Sequence, residues 1–251
     1  MKILLFGGTT EGRELSRILH ERGEEVTVCV ATAYGAEEQR RVPGVRTLVG
    51  PLSEEEKLAL LREHDLCLDA THPYAAHITA SVKSACEAAG VPCLRLSRPR
   101  SELAGATVLN SAAEAAAYLA GHQGNVLLAT GANELHFFAA LPPERLFPRI
   151  LPSHASLSAC EALGIPRRNI IAMQGPFSQK LNEALIAQFS IRFLVTKDGG
   201  REGGFPEKAA AAAASGVELL VLRRPEDAGI SMDEILSLVE GVHRGGSLPG
   251  R

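Results

Sequence analysis

Short apolar runs alternate with helix-forming segments along nearly the whole chain of 251 residues. The pattern predicts strands at 2–6, 26–30, 45–49, 66–69 and 92–96, and then at 106–109, 125–129, 145–150, 169–172, 192–196 and 218–222. Strands that are joined through helices run parallel, because the chain must cross back before it starts the next strand. The sequence therefore predicts an α/β fold with parallel, doubly wound sheets.

We expect two domains of similar architecture. Residues 1–100 form a nucleotide-binding half, and residues 101–251 form a second half that ends in a helix over 231–242 and a frayed tail from Gly245. The tail is expected to fray because it is rich in Gly, Ser and Pro. No long linker marks the boundary between the halves.

Composition and charge exclude several classes of protein. The formal net charge is -3, so the basic bias of a nucleic-acid-binding protein is missing. No apolar run is long enough to span a bilayer, and the N-terminal apolar run is too short for a signal peptide. Neither the five cysteines nor the eight histidines show metal-ligand spacing, so we expect no disulfide and no bound metal. A cytoplasmic enzyme is the expectation that remains.

A glycine-rich turn follows the first predicted strand. It predicts a dinucleotide site formed by Gly7, Gly8, Thr9, Thr10, Glu11 and Gly12. Backbone N–H groups at the start of the following helix can bind phosphate, and the two threonines can donate hydroxyl groups. The match to GxGxxG is imperfect because Thr9 holds the middle position. The alternative is a glycine turn kept for packing.

The end of the second predicted strand bears on cofactor choice. An acidic residue there would bind the ribose hydroxyls of NAD, but residues 31–34 contain no Asp or Glu. The sequence therefore favours NADPH, with NADH as the alternative. Thr32 could contact the 2′-phosphate, and Arg40 or Arg41 could pair with it. These arginines could equally form a solvated loop face.

Reactive side chains crowd the end of the fourth predicted strand. Within six residues the chain places Asp69, Thr71, His72 and Tyr74, with Pro73 expected in the first turn of the next helix. Thr71 is expected to face the cofactor. His72 and Tyr74 are candidate catalytic residues, although His72 could instead stabilise the turn and Tyr74 could simply pack. Asp69 could fix the loop or take part in the reaction.

Polar or glycine-bearing loops follow four strands of the second half. They carry Thr130, Arg149, Ser178 and, in the longest loop, Lys197, Arg201 and Lys208. A loop rich in glycine and cations suits an anionic ligand, and an ordinary flexible connection is the alternative.

The chain resembles the precorrin-6A reductase family of cobalamin biosynthesis. The resemblance rests on the glycine turn and on motifs that follow it in the expected order: the stretch 69–75, Arg95 with Arg98-Pro99, Thr130-Gly131, 174–178 with Asn182, and 196–208. Two departures stand out. Gly199-Gly200 follows Asp198 where the family commonly has Ser-Gly, and Arg100 and Ser101 stand where an aromatic residue is frequent.

The resemblance implies two Rossmann-like halves with a cleft between them. It also implies NAD(P)H-dependent reduction of one double bond in precorrin-6A or its cobalt form. The hydride comes from the nicotinamide, so the protein must bind and orient the cofactor and the substrate and polarise the bond that is reduced. Because the macrocycle carries many carboxylates, cationic side chains of the protein should bind it. The expected substrate-binding residues are Arg95, Arg98, Thr130, Arg149, Ser178, Arg201 and Lys208, and Lys197 joins His72 and Tyr74 as a candidate proton donor. Water is the alternative proton source.

Two other functions are compatible with the first half alone. One is a different Rossmann-type oxidoreductase or epimerase, but the Tyr-x-x-x-Lys pair of such enzymes is missing. Tyr34, Tyr74 and Tyr118 are followed four residues later by Glu38, Ile78 and His122. The other is a non-catalytic nucleotide-sensing module, which would leave the polar loops of the second half without a role. The sequence does not indicate an oligomeric state.

Overall fold

The computed structural model describes residues 1–97, 101–103, 105–201, 203–225 and 229–248. The chain divides into two compact units, one formed by Met1–Pro99 with Pro225–Arg251 and the other by Arg100–Arg224. Each unit has its own parallel sheet and its own apolar core. The predicted α/β class with two parallel sheets is confirmed.

The first unit contains a five-stranded sheet. Its strands are Lys2–Phe6 (β1), Glu25–Val30 (β2), Arg46–Val49 (β3), Leu66–Asp69 (β4) and Cys93–Arg95 (β5), in the order β3-β2-β1-β4-β5. The helices between them are Thr10–Glu21 (α1), Ala33–Gln39 (α2), Glu54–Arg62 (α3) and Ala76–Ala89 (α4). The strand order reverses between β1 and β4, and ligands of open parallel sheets bind at such a point.

The central strands of this sheet are covered on both faces. Ile3, Leu4 and Leu5 are fully buried, with Ile3 and Leu5 in one core cluster and Leu4 in the other. A parallel strand that packs against helices on both sides has no polar face, which explains the continuous apolar run of β1.

The second unit contains a six-stranded parallel sheet. Its strands are Thr107–Leu109 (β6), Asn125–Ala129 (β7), Leu146–Ile150 (β8), Ile171–Ala172 (β9), Ile191–Lys197 (β10) and Glu218–Leu222 (β11), in the order β6-β11-β10-β7-β8-β9. The α-helices are Ala112–Ala120 (α5), His154–Ala162 (α6), Gln179–Gln188 (α7) and Phe205–Ser215 (α8). A 3₁₀ helix at Ala132–Phe138 lies between β7 and β8.

The C-terminal helix corrects the predicted domain assignment. Met232–His243 (α9) belongs to the first unit, not to the second half as predicted. Its buried residues Ile235 and Val239 pack into the same core cluster as Leu15 and Leu19 of α1. Sequence periodicity identifies an apolar helix face but does not say which sheet covers it.

The polar tail after α9 is also more ordered than predicted. Leu248 is buried in the core of the first unit, so the chain packs up to that residue. Residues 249–251, the end of the predicted frayed tail, lie outside the described residues.

Two local predictions in the first unit need correction. Pro73 was expected in the first turn of a helix, but α4 begins at Ala76, so Pro73 lies in the turn before it. No helix is predicted between the second and third strands, but the structure has α2 there, which Thr32 caps by accepting a hydrogen bond from the Gly35 N–H. None of the described helices is long and apolar enough to cross a membrane.

Candidate functional site

The glycine turn between β1 and α1 combines two physical requirements. Gly8 has a φ of +103°, and a Cβ built there would meet no atom within 4 Å. The turn therefore needs glycine at this position for its backbone conformation, and it leaves open space above the chain. Gly7 and Gly12 are needed for packing, because a Cβ would lie 3.0 Å from Val28 Cγ1 or from the Ala70 Cβ, respectively.

Thr9 links this turn to the turn after β4. Its Oγ1 accepts a hydrogen bond from the Gly12 N–H at 3.0 Å, which caps α1, and donates one to the Ala70 carbonyl at 2.9 Å. The hydroxyl hydrogen is thus used inside the protein, which corrects the expectation that it is donated to a phosphate. Thr9 therefore holds the two turns together.

A cavity of about 350 Å³ opens beside the glycine turn. The predicted site residues that line it are Gly7, Gly8, Thr9, Thr32, Thr71 and His72. Thr10 lines a smaller pocket of about 90 Å³ next to it. Glu11 lies in the first turn of α1, and Gly12 is buried beneath the turn. The predicted cofactor residues are therefore gathered around one turn and the spaces beside it.

The smaller pocket is lined by Arg13, a charged residue that sequence reasoning missed. Arg13 lies there and contacts Glu38 at 2.7 Å, and Arg41 contacts the other oxygen of Glu38 at 2.8 Å. Two guanidinium groups share one carboxylate, so the group carries a net positive charge. The signal for Arg13 was its place in the first turns of the helix that follows the glycines.

A buried ion pair fixes the turn after β4. The Asp69 side chain is 2 % exposed and contacts Arg95 Nη1 at 2.7 Å. Its Oδ1 also accepts hydrogen bonds from the Thr71 N–H at 3.0 Å and from the Thr71 hydroxyl at 2.7 Å. Arg95 donates to Thr71 Oγ1 at 2.8 Å, so this arginine supports the turn. Asp69 acts here as the fixed centre of the turn, which is one of the two roles anticipated for it.

His72 is exposed and is one of the residues that line the cavity. Its Nδ1 lies 3.3 Å from the Tyr74 N–H, which donates to it. The Tyr74 ring lies beside it, with ring centroids 5.7 Å apart. An imidazole in this position can contact a ligand in the cavity and can carry a proton.

In the second unit, two buried cations lie close together. Arg149 and Lys208 are each 7 % exposed. Arg149 stacks on the Phe177 ring at 4.2 Å and donates to Asn182 Oδ1 at 2.7 Å, while Lys208 Nζ donates to the Gly203 carbonyl at 2.9 Å. Among the described residues, no carboxylate lies within salt-bridge distance of either cation.

Burial changes the acidity of both cations. Desolvation lowers the pKa of Arg149 to about 10. Desolvation, reinforced by the positive charge of Arg149, lowers the pKa of Lys208 to about 8. A buried pair of like charges is costly unless an anion joins it, so this cluster suits a carboxylate ligand.

The other predicted residues of the second unit have different surroundings. Lys197, at the end of β10, contacts Glu134 at 3.0 Å. The Ser178 hydroxyl caps α7 by accepting from the Leu181 N–H, and Arg201 is exposed. Thr130 is buried, and its hydroxyl has no hydrogen-bond partner among the described residues. Arg98 lies outside the described residues.

Asp198 and Arg224 organise the glycine-rich loop, and sequence reasoning assigned neither a role. Asp198 is buried and accepts hydrogen bonds from the Ser101 hydroxyl at 2.6 Å and from the Gly200 N–H at 3.2 Å. Arg224, also buried, donates to the Asp198 carbonyl at 3.3 Å. An aspartate directly before paired glycines is typical of a side chain that stabilises its own turn.

The features of the first unit define a class of protein. Three of them are typical of α/β dinucleotide-binding proteins. They are a parallel sheet whose strand order reverses between β1 and β4, a glycine with positive φ after β1, and a cavity beside that glycine. The family model described as "Precorrin-6x reductase CbiJ/CobK" matches residues 2–240. The chain belongs to this family of cobalamin-biosynthesis oxidoreductases.

Named relatives cover most of the chain. The cobalt-precorrin-6A reductase of Methanothermobacter thermautotrophicus is 34% identical over 233 residues, which span 90% of this chain and 77% of the relative. The enzyme of the same name from Priestia megaterium is 32% identical over 89% of this chain and 91% of the relative. A precorrin-6A reductase from Sinorhizobium sp. is 31% identical over 95% of this chain and 92% of the relative.

A solved structure shows the same fold. The structure titled "CobK precorrin-6A reductase" superposes with a TM-score of 0.75 and covers 96% of this chain and 97% of its own. Its sequence identity is 23%.

The lowered pKa of Lys208 predicts a pH-dependent stability. Between about pH 8 and the ordinary lysine value of 10.5, the unfolded chain holds a proton that the folded chain has lost. The free energy of unfolding contributed by this group therefore rises with pH across that window. Urea unfolding over this range should show a smaller rise for Lys208→Met than for the unaltered protein. Replacement of the exposed Lys180 by Met should leave the rise unchanged, and equal slopes in all three proteins would contradict the assignment.

Proposed function

We propose that this protein reduces one carbon–carbon double bond of precorrin-6A or cobalt-precorrin-6A, with NADPH as the reductant. The family match over residues 2–240 supports the reaction and the substrate class. One structural observation supports the binding of a nicotinamide nucleotide: Gly8 has a positive φ, has open space above it, and lies beside a cavity that His72 also lines. We expect the enzyme to act in the cytoplasm.

The glycine turn fits a nicotinamide nucleotide. The N-terminus of a helix attracts phosphate, and the absence of a side chain at Gly8 leaves room for a phosphate to approach the start of α1. Thr32, Thr71 and His72 would line the rest of the cavity. The nucleotide, when bound, supplies the hydride. The protein residues hold the nucleotide and exclude water from the cavity.

The charged group in the smaller pocket supports NADPH over NADH. The end of β2 carries no carboxylate that would bind ribose hydroxyls, because Ala31 and Thr32 follow the strand. Arg13 and Arg41 more than neutralise Glu38, so a 2′-phosphate would meet net positive charge. NADH remains the alternative reductant.

Arg149 and Lys208 are proposed to bind a carboxylate of the macrocycle. They lie close together, are buried and have no carboxylate partner among the described residues. Phe177 and Asn182 hold the guanidinium in place, so little side-chain freedom is lost when a ligand binds. Arg98, Thr130, Ser178 and Arg201 stay predicted substrate contacts, and Arg95 is proposed to act through the turn that it supports.

His72 is proposed to contact the nicotinamide or the macrocycle. It is exposed on the cavity wall, and the rigid Asp69–Arg95 pair fixes the turn that carries it. It is also a candidate to deliver the proton that accompanies the hydride. Tyr74 and Lys197 stay candidates for the same role, and water is the alternative.

The direct test is an assay of NADPH oxidation with each macrocycle. The purified protein should consume NADPH only when precorrin-6A or its cobalt complex is supplied, with formation of the corresponding precorrin-6B. Nucleotide binding without turnover of either macrocycle, using NADPH or NADH, would overturn the reductase proposal in favour of a sensing module.

Gly8→Ala should weaken NADPH binding by about tenfold or more, because a Cβ is strained at positive φ and intrudes on the phosphate space. Gly23→Ala is a matched control, since Gly23 also has a positive φ (+89°) and no atom within 4 Å of a built Cβ, but lies after α1. Both variants should lose similar stability in thermal melts. Equal NADPH affinities in calorimetric titration would place the nucleotide elsewhere.

His72→Ala should lower kcat/KM for the macrocycle by at least about tenfold, which is modest for a catalytic group. The melting temperature should not fall, because the ring is exposed. His77→Ala, at an exposed position on α4, is the control and should keep full activity. Unchanged turnover by the His72 variant would reduce this residue to a structural role in its turn.

Arg149→Leu should raise the KM for the macrocycle by about tenfold or more, since a buried charged hydrogen bond is lost. The KM for NADPH should stay the same. Arg168→Leu removes an exposed arginine of the same unit and should change neither constant. A change in both KM values for Arg149→Leu, or in neither, would contradict the proposed carboxylate contact.

A further inference from the structure

Three cysteines that are far apart in sequence meet inside the first unit. Cys67 on β4 and Cys93 on β5 are register partners on adjacent parallel strands, and Cys86 lies on α4. The three Sγ atoms all lie within 4.8 Å of one another. We call these residues the thiol triad. The reductase mechanism makes no use of them.

The thiol triad lies in an apolar layer between α4 and the sheet. Cys67 and Cys86 belong to the core cluster that contains Leu4, Val82 and Ala85. Cys93 is partly exposed, which gives an ion from solvent a way in. The next ionised side chains along the two strands are Asp69 and Arg95, and they neutralise each other.

The geometry suits one ion at the centre of three sulfurs. Metal–thiolate bonds of roughly 2.3 Å in a planar trigonal arrangement separate the sulfurs by roughly 4 Å. The observed Sγ separations, all within 4.8 Å, are close to that distance. No His, Asp or Glu among the described residues joins the group as a fourth ligand, which a structural zinc site would need.

Ligand chemistry selects the ion. Thiolate ligands favour soft cations such as Cu(I) over hard cations such as Mg²⁺ and Ca²⁺. We propose that the thiol triad is a binding site for a single soft, monovalent d¹⁰ cation, with Cu(I) as the biological example. The ion takes the place of thiol protons, which are released to solvent as it binds.

Sequence spacing gave no indication of this site. The three cysteines are separated by 18 and 6 intervening residues, so they form no recognised ligand motif. The pairing of β4 with β5 and the return of α4 over both strands bring them together. The proposal therefore rests on this geometry and departs from the expectation, drawn from sequence spacing, that no metal is bound.

The test uses the full chain, reduced and kept without oxygen, with Cys29→Ala and Cys160→Ala introduced so that only the thiol triad remains. Cu(I) is supplied as its bathocuproine disulfonate complex, and the loss of that complex's colour measures transfer. We expect one Cu(I) per chain, three sulfur neighbours in X-ray absorption and a higher melting temperature of the loaded protein.

A ligand variant in the same background checks the residues. Cys86→Ala should weaken Cu(I) binding by at least about a hundredfold, since even the loss of a group that supports a metal ligand costs roughly 10- to 100-fold. Circular dichroism of the metal-free variant verifies its fold. If that variant does not fold, Cys93→Ser at the partly exposed position replaces it.

Three outcomes of the metal-binding experiments would overturn the proposal. These are failure of the triad protein to take Cu(I) from the chelator, equal Cu(I) affinity in the ligand variant, and preferential binding of Zn(II) over Cu(I). A disulfide between two of the three cysteines in protein isolated with reductant would also overturn it, because two of the proposed ligands would then be bonded to each other.

Discussion

The buried ion pair between Asp69 and Arg95 determines the local geometry of the candidate site in the first unit. It joins the ends of β4 and β5, and its carboxylate holds both the N–H and the hydroxyl of Thr71. A buried carboxylate that lost its arginine would be left with an uncompensated charge, so the pair is costly to break from either side. The turn that carries His72 is therefore rigid because of a contact that lies beneath it.

Thr9 extends this rigidity to the glycine turn. Its hydroxyl connects the N-terminus of α1 to the Ala70 carbonyl, next to the residue that Asp69 holds. The glycine turn and the turn after β4 are thus fixed relative to each other before any ligand arrives. Preorganisation of this kind reduces the conformational entropy that binding would otherwise cost.

The charged side chains of the second unit fall into two groups, those that stabilise the structure and those that suit a ligand. Asp198 and Arg224 satisfy each other and the backbone of the glycine-rich loop, and Lys197 is paired with Glu134. Arg149 and Lys208 have no such carboxylate among the described residues. Sequence reasoning listed cations by type and loop position, whereas burial and partners separate a ligand-binding cation from a structural one.

Sequence patterns predicted the two parallel sheets because apolar runs and their helical spacers are local properties of the chain. The glycine turn was also predictable, since its residues are adjacent. The role of Arg95 in supporting a turn, the hydroxyl bond of Thr9 to Ala70 and the thiol triad all depend on pairing between strands distant in sequence. The predicted cleft between the halves and the individual site residues stay predictions.

The position of α9 makes the first unit discontinuous along the chain. Its sheet is complete after β5, but the core beneath that sheet lacks Ile235 and Val239 until α9 has been made. During synthesis the whole second unit leaves the ribosome before the first can close its core. A chain that stops after Arg224 would expose apolar surface on its N-terminal part, so folding of the first unit depends on the synthesis of α9.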